Sequence, residues 1–299
     1  MIKKSFSMGL VVFVFFACSQ QKQSDIEGLR EEIVRSAQAF EAEIGLVFKD
    51  LESGEILKIN ERESMHAAST MKVPVLIEVF KQAGEGSFSL VDTLTVRNEF
   101  RSIVDGSPYV MEAAGDSDED IYSSIGEEKT IRELVNRMIT VSSNLATNML
   151  IELVGAENVM KTLEKLGANS MQVLRGVEDI KAFELGLNNR TDAYDLMLVM
   201  EAIATGNAGT PQDCEDMIRI LSRQEFREKI PAGLPEGIQV ANKTGSITEI
   251  DHDAAIVFPP ERKPYILVVL TRGVADRLQA QELLAGLSHL IYAHVTGQK

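Results

Sequence analysis

The chain has 299 residues, with 30 Lys plus Arg against 45 Asp plus Glu and a formal net charge of −15. A chain this acidic, with no long basic run to offset it, is not drawn to DNA or RNA phosphates. Its 44% hydrophobic content excludes wholesale disorder, and its two cysteines exclude a disulfide scaffold.

The first elements read as an address rather than as fold. Met1 to Lys4 is a short basic head, and Met8 to Ala17 is almost wholly apolar but too short to span a bilayer as a mature helix. Ala17-Cys18, a small residue followed by cysteine, resembles the bacterial lipoprotein cleavage box. That likeness implies lipidation of the Cys18 thiol, and the polar run Ser19 to Gln23 suits a tether. Residues 1–17 are therefore expected to be a signal peptide and 18–24 a tether. The expected location is the bacterial cell envelope, lipid-anchored and facing the periplasm or exterior. Cys214 is then left alone and is expected to pack as a small hydrophobe.

In the mature chain, Ser24-Asp25-Ile26-Glu27 has capping-box spacing, and Ile26, Leu29, Ile33, Ala37 and Phe40 follow at helical period. Ile44 to Phe48 and Glu55 to Ile59 around Glu52-Ser53-Gly54 predict a strand hairpin. Ser69 to Gln82 is helical in spacing. Arg101 to Glu128, acidic at Asp116 to Asp120, reads as an inserted loop beside the Ser69 segment, with a solvated acidic tip as the alternative. Thr130-Ile131-Arg132-Glu133 is a second capping box opening helices to about Gly167. Thr191 to Thr205 and the segment after Thr210-Pro211 are further helices. Gln239 to Thr244, Ala254 to Phe258 and Tyr265 to Thr271 are strand-like, and Leu278 to His294 is the last helix. Strands at both ends and helices between them predict an α/β chain of the α+β type. One antiparallel sheet is built from both chain ends and flanked by helices, with an all-helical lobe beside it. The domain would span 25–299, its α/β lobe about 25–68 and 208–299 and its helical lobe about 69–207.

Three short strings carry chemistry. Ser69-Thr70-Met71-Lys72 puts a hydroxyl and an amine on one helix face, where a neutral amine can take the hydroxyl proton. The tether string Ser19-Gln20-Gln21-Lys22 fits the same pattern, so S-x-x-K alone is weak. Ser142-Ser143-Asn144, at a corner between helical runs, offers a hydroxyl for proton relay and an amide for a carbonyl. It also suits a plain helix cap. Lys243-Thr244-Gly245 ends a strand and precedes Ser246. Lys and Thr there can hold a carboxylate, and Gly admits a ligand close to the backbone.

The ordered set resembles the class A β-lactamases and the penicillin-recognising serine hydrolases around them, whose signature is S-x-x-K, S-D-N and K-T-G. Asn148, the hairpin before Ser69, Ile230-Pro231-Ala232-Gly233, and two strands then a helix after Lys243 extend the likeness over roughly residues 25–297. The resemblance implies a serine β-lactamase with a DD-peptidase/β-lactamase-like fold. Ser69 would be the nucleophile, Lys72 its proton acceptor or electrostatic partner, and Ser142 the proton relay. Asn144 would hold the substrate's side-chain amide, and Lys243 and Thr244 its carboxylate. The N–H groups of Ser69 and Ser246 would form an oxyanion hole.

The chain departs from the pattern in places. Ser143 replaces the usual Asp, and the Ser69 to Ser142 stretch is long. The deacylating glutamate has two candidates. Glu184 fits E-x-x-L-N through Leu187-Asn188 and is favoured, whereas Glu178 fits the loop length after Arg175 but lacks the following Asn. Arg272 is a further candidate for the carboxylate. No His/Cys/Asp cluster has metal spacing, and neither metal nor cofactor is expected. The expected partners are a small β-lactam and the membrane under the anchor, with no nucleic acid, and the expected state is a monomer. Two other readings stand beside this one. The first is a D-alanyl-D-alanine peptidase or related peptidoglycan-directed hydrolase that releases β-lactams slowly. The second is a non-catalytic envelope-binding lipoprotein.

Overall fold

A computed structural model describes residues 26–297. The expected signal, the Cys18 anchor, the tether and the cap residue Ser24 lie outside these residues. Among the described residues no helix is long and apolar enough to cross a membrane.

Residues 26–39 form helix α1. The hairpin follows as β1 (Glu43–Asp50) and β2 (Ile56–Ile59). Six short strands pair off outside the main sheet, β3 (Met65–His66) with β8 (Arg190–Thr191), β4 (Thr93–Thr95) with β7 (Glu128–Thr130) and β5 (Phe100–Arg101) with β6 (Pro108–Tyr109). The other long strands are β9 (Gln239–Ile247), β10 (Ile250–Phe258) and β11 (Tyr265–Arg272), and the last helix is α9 (Arg277–Thr296). The five long strands form one antiparallel sheet in the order β2-β1-β11-β10-β9, so both chain ends build it, as the pattern predicts.

Strand alternation explains why the sheet carries two cores. Val47, Ala254, Ile256, Ile266, Val268 and Leu270 face one side and join the helical lobe. Leu46, Phe48, Ala255, Val257, Leu267 and Val269 face the other and pack on α1 and α9, through Leu29, Ile33, Leu283 and Leu287. The strands therefore read as unbroken apolar runs rather than as alternation.

The helical lobe holds α2 (Lys72–Gly84), α3 (Ile131–Thr140), α4 (Asn144–Val154), α5 (Ala156–Lys165), α7 (Ala193–Ala204) and α8 (Pro211–Leu221), with the one-turn-and-a-half α6 (Ile180–Glu184) in a loop. The capping box read at Thr130 forms, and the Thr210 cap, from a segment expected in the α/β lobe, proves to be a capping box as well. Thr130 and Glu133 exchange side-chain to backbone hydrogen bonds, as do Thr210 and Asp213. Helix α8 joins the same apolar cluster as α3 and α7, with Cys214 buried among them as a free thiol.

The turn Ile230–Gly233 lies against α9. A Cβ built on Gly233 would stand 2.0 Å from the Ala285 carbonyl oxygen, a backbone atom that cannot yield. Gly233→Ala should therefore lower stability by about 1–3 kcal/mol through overpacking, read as a fall in the urea midpoint at unchanged slope.

Candidate active site

The sheet and the helical lobe meet around Ser69. A short 3₁₀ turn, Ala68–Met71, runs straight into α2, so Ser69 sits one turn before Lys72 at the head of a buried helix. Strand β9 crosses directly in front of it. A Cβ on Gly245 would lie 3.0 Å from the Ser69 nitrogen and 3.1 Å from the Ala68 Cβ. Only glycine lets the two backbones approach this closely. The approach sets the N–H of Ser69 beside the end of the Lys243-Thr244-Gly245-Ser246 strand.

Lys72 and Lys243 are both 0% exposed. The Lys72 Nζ donates to the Ser142 carbonyl at 2.6 Å, the Ser142 Oγ at 3.1 Å and the Asn144 Oδ1 at 2.9 Å. The Lys243 Nζ donates to the same Ser142 Oγ at 3.0 Å and to the Thr244 carbonyl at 2.9 Å. One hydroxyl thus accepts from two amines, which leaves its own hydrogen to be given into the cleft. Burial pulls Lys72 down to about 7, against the opposing pull of Asp116 and Glu178. Burial, with Lys72 nearby, also lowers Lys243 well below an ordinary lysine.

The three strings converge on one cleft of about 420 Å³, lined among others by Ser69, Ser142, Asn144, Thr244 and Ser246. Ala68, Ser142 and Glu178 have φ of 45°, 61° and 64°, a left-handed conformation costly for residues with a Cβ. Three such residues around one cleft mark a place where packing overrules local preference.

The two glutamates part company. Neither glutamate is in the cleft lining; Glu184 ends α6, is exposed, and makes no side-chain hydrogen bond among the described residues. Glu178 is half-buried, and its carboxyl is raised first by burial and then by Asp116 and Glu112, while Asn144 and Lys72 pull it down. The expectation that favoured Glu184 is therefore corrected in favour of Glu178. The physical reason lies in Asn148. Its Oδ1 accepts from the Val177 N–H at 2.6 Å and its Nδ2 donates to the Val177 carbonyl at 2.9 Å. Gly176 passes so close that a Cβ would meet the Asn148 Oδ1 at 2.6 Å. Asn148 thereby pins the segment that carries Glu178. The E-x-x-L-N string serves elsewhere, since the Leu187 carbonyl and the Asn188 Oδ1 accept from Arg175.

Arg272 is also corrected. It pairs with Glu43 and, at 3.0 Å, with Glu63, and does not line the cleft. Arg277 and Lys229 line it instead. Lys229 is 3% exposed and donates to Ser246 Oγ at 2.8 Å, while its ion pair with Asp251 closes at 2.7 Å. The register that sets Asp251 opposite Ser246 makes this cluster. Sequence reading missed both residues, because Lys229 precedes the singled-out Ile230-Pro231 string by one position and Arg277 follows a helix cap. The inserted loop does lie beside the site, and Asp116, not singled out within it by the sequence, is 5% exposed and lines the cleft.

The two histidines near the motifs are structural. Nδ1 of His252 accepts from the Thr271 N–H at 3.1 Å, which leaves Nε2 to donate to the His66 carbonyl at 3.0 Å. Burial lowers His252 to about 4, so it is neutral. Among the described residues no group of side chains could hold a metal ion.

Comparison with known proteins gives a consistent result. The model of the beta-lactamase enzyme family matches residues 28–295. A beta-lactamase, AST-1, of Nocardia asteroides is 29% identical over 57% of this chain and 58% of its own length. A beta-lactamase of Bacillus amyloliquefaciens is 26% identical over 81% of this chain and 76% of its own length. The chain thus aligns with little more than half the length of some curated relatives. Among solved structures, a beta-lactamase from Sphaerobacter thermophilus superposes with TM-score 0.76 at 24% identity, covering 91% of this chain and 98% of that one. A mutant of PBP-A, solved as an acyl-enzyme complex with penicillin G, superposes with TM-score 0.76 at 26% identity, covering 91% and 97%.

The buried pair beside Ser246 gives a test of this geometry. Lys229→Met strands the Asp251 carboxylate and should cost about 3–5 kcal/mol in denaturant unfolding, and Lys229→Met with Asp251→Leu should recover most of that loss.

Proposed function

The chain belongs to the beta-lactamase enzyme family, and on that premise we propose that it is a serine β-lactamase that opens the lactam amide through an acyl-enzyme on Ser69. The observation that carries this reading is the Ser142 hydroxyl shared between two buried lysines at the floor of the Ser69 cleft. In the first half-reaction the Ser69 Oγ–carbon bond forms as the lactam C–N bond breaks. The proton leaves Oγ for the neutral Lys72 amine and reaches the departing nitrogen through Ser142. The N–H groups of Ser69 and Ser246 hold the developing oxyanion, each worth about 10²–10³ in rate. Thr244, Lys243 and Arg277 hold the substrate carboxylate, and Asn144 holds its side-chain amide. In the second half-reaction Glu178 takes a proton from water, the water oxygen bonds to the acyl carbon, and the ester bond to Ser69 breaks with its proton restored.

A second reading has its own support in the likeness to PBP-A, whose mutant forms an acyl-enzyme with penicillin G. It is a peptidoglycan-directed D-alanyl-D-alanine peptidase that acylates and then releases β-lactams slowly. Turnover separates the two readings. With a chromogenic cephalosporin, Ser69→Ala should abolish hydrolysis. Glu178→Gln should trap a covalent adduct visible by mass spectrometry, and Glu184→Gln should turn over like the parent. If the parent protein itself labels stoichiometrically and stays labelled, the peptidase reading replaces the β-lactamase one.

The pH dependence follows from the signs. Lys72 accepts a proton only when neutral, and its position near 7 places an acid limb there. Glu178, raised by burial, must be ionised to activate water, so its acid limb belongs to deacylation. Acylation measured by stopped flow should rise as pH climbs through about 7. At higher pH the loss of charge on Lys243 should raise KM for the carboxylate-bearing substrate.

The same proposal includes a lipid anchor on Cys18, a monomer, and a place in the bacterial cell envelope facing the periplasm or exterior, motivated by the Ala17-Cys18 string. Cys18→Ser should move the protein from the membrane to the soluble fraction.

A further inference from the structure

Asp116 is an acid in the cleft wall that the mechanism above leaves unused. It follows the turn Ala113–Gly115 in the long loop between Ser69 and Ser142. Both its carboxylate oxygens accept the Asn144 N–H at 2.9 Å, and one accepts the Leu145 N–H at 2.9 Å. These are the first two donors of α4, the helix whose first residue is Asn144. The helix's own cap, Ser143, reaches only the Ala146 N–H, at 3.3 Å. Ser143 stands where the family's motif has an aspartate, so here the carboxylate at this helix end comes from a distant segment. Its neighbours fasten the same place. The Ser117 Oγ donates to the Val141 carbonyl at 2.7 Å and the Ser142 carbonyl at 3.2 Å, and Asp118 pairs with Arg137 of α3 at 2.7 Å. The Tyr122 hydroxyl donates to Asp116 at 3.2 Å.

We propose that Asp116 is a positioning residue of this site, a carboxylate from the inserted loop that locks the first turn of α4 and so holds Asn144 on Lys72 and beside Glu178. The proposal rests on the serine-hydrolase reading. A side chain fixed only by its helix would leave the Asn144 amide free to turn. With the turn clamped, the Asn144 Oδ1 stays on the Lys72 Nζ at 2.9 Å, and its side chain steadies the Glu178 carboxylate. The charge of Asp116 also reaches both partners. Lys72 faces Asp116 and Glu178, with Lys243 across the Ser142 hydroxyl. Glu178 faces Asp116, Glu112 and Lys72, with Tyr109 and Tyr122 nearby. Asp116 favours the proton on both groups. Without its charge both lose the proton at lower pH, and the acid limb moves down.

The test compares the parent with Asp116→Asn, Asp116→Ala and Asp118→Asn, using a chromogenic cephalosporin across pH. Asp116→Asn should lower the acylation rate by about 10²-fold, the scale set by small misplacements at a reacting centre. Its acid limb should move to lower pH by about half a unit to one unit. Asp118→Asn loosens the same loop and should slow the reaction without moving the limb. An unmoved limb in Asp116→Asn, or an equal movement in Asp118→Asn, overturns the proposal. A second measurement does not need turnover. A lysine carbon-13 NMR titration, with Lys72 assigned through Lys72→Arg, should show Lys72 titrating at lower pH in Asp116→Asn than in the parent. If the parent fails to acylate while Lys72 shifts as stated, the β-lactamase reading falls and the positioning role stands. If Lys72 does not shift, the positioning role falls whatever the parent hydrolyses.

Discussion

Two lysine side chains, each a cation in water, buried within hydrogen-bond reach of one hydroxyl are the constraint that organises this molecule. Lys72 comes from the helical lobe and Lys243 from the sheet, and neither touches solvent. Moving such ions out of water costs several kcal/mol each unless the surroundings supply partners. The protein supplies them from four separate stretches: the Ser142 carbonyl, the Asn144 amide, the Thr244 carbonyl, and the acids Asp116 and Glu178. Each stretch must therefore arrive at one point. The close crossing of β9 over the Ser69 turn, the sharp corner at Ser142 and the left-handed Glu178 are what that convergence demands of the backbone.

The sheet makes the convergence affordable in geometric terms. Its five antiparallel strands are buried on both faces, so β9 is held in register from Gln239 to Ile247 and Lys243 cannot drift along it. Six helices, α2, α3, α4, α5, α7 and α8, are packed in one apolar cluster with that face. A stiff platform on each side lets the polar groups between them be preorganised rather than gathered on demand. The neutral Lys72 this produces is a property of the assembled seam, and Ser69-Thr70-Met71-Lys72 taken alone does not have it.

Much of this was legible in residue order. Unbroken apolar runs at Ile44 to Phe48 and Tyr265 to Thr271, the capping box at Thr130 and the Thr-Pro cap at Thr210 identified the elements because their causes are local. Ser69, Lys72, Ser142, Asn144, Lys243, Thr244 and Ser246 were named from three strings, and the fold brings them to one cleft or its floor. What escaped depends on contacts between distant segments. Glu184 outscored Glu178 as a string, but the Asn148 clasp on Val177 decides which acid approaches. The loop's place beside the site was legible, but Asp116 could not be told from its acidic neighbours, because its partners are the N–H groups of a helix far along the chain. Arg272 looked free at a strand end, yet it is held by Glu43 on the adjacent strand and by Glu63.

The Asn148 clasp has a consequence for how such a protein can change its trade. The groups that form a covalent adduct sit on the rigid seam, whereas the acid assigned to releasing it hangs on a loop fastened by one carboxamide over one glycine. Attachment and release are thus built on separate pieces of chain. A lineage could slacken the fastening and keep a molecule that captures its ligand and stays marked, or tighten it and recover one that destroys the ligand repeatedly. The seam would be identical in both, and a single amide would separate a receptor from a scavenger.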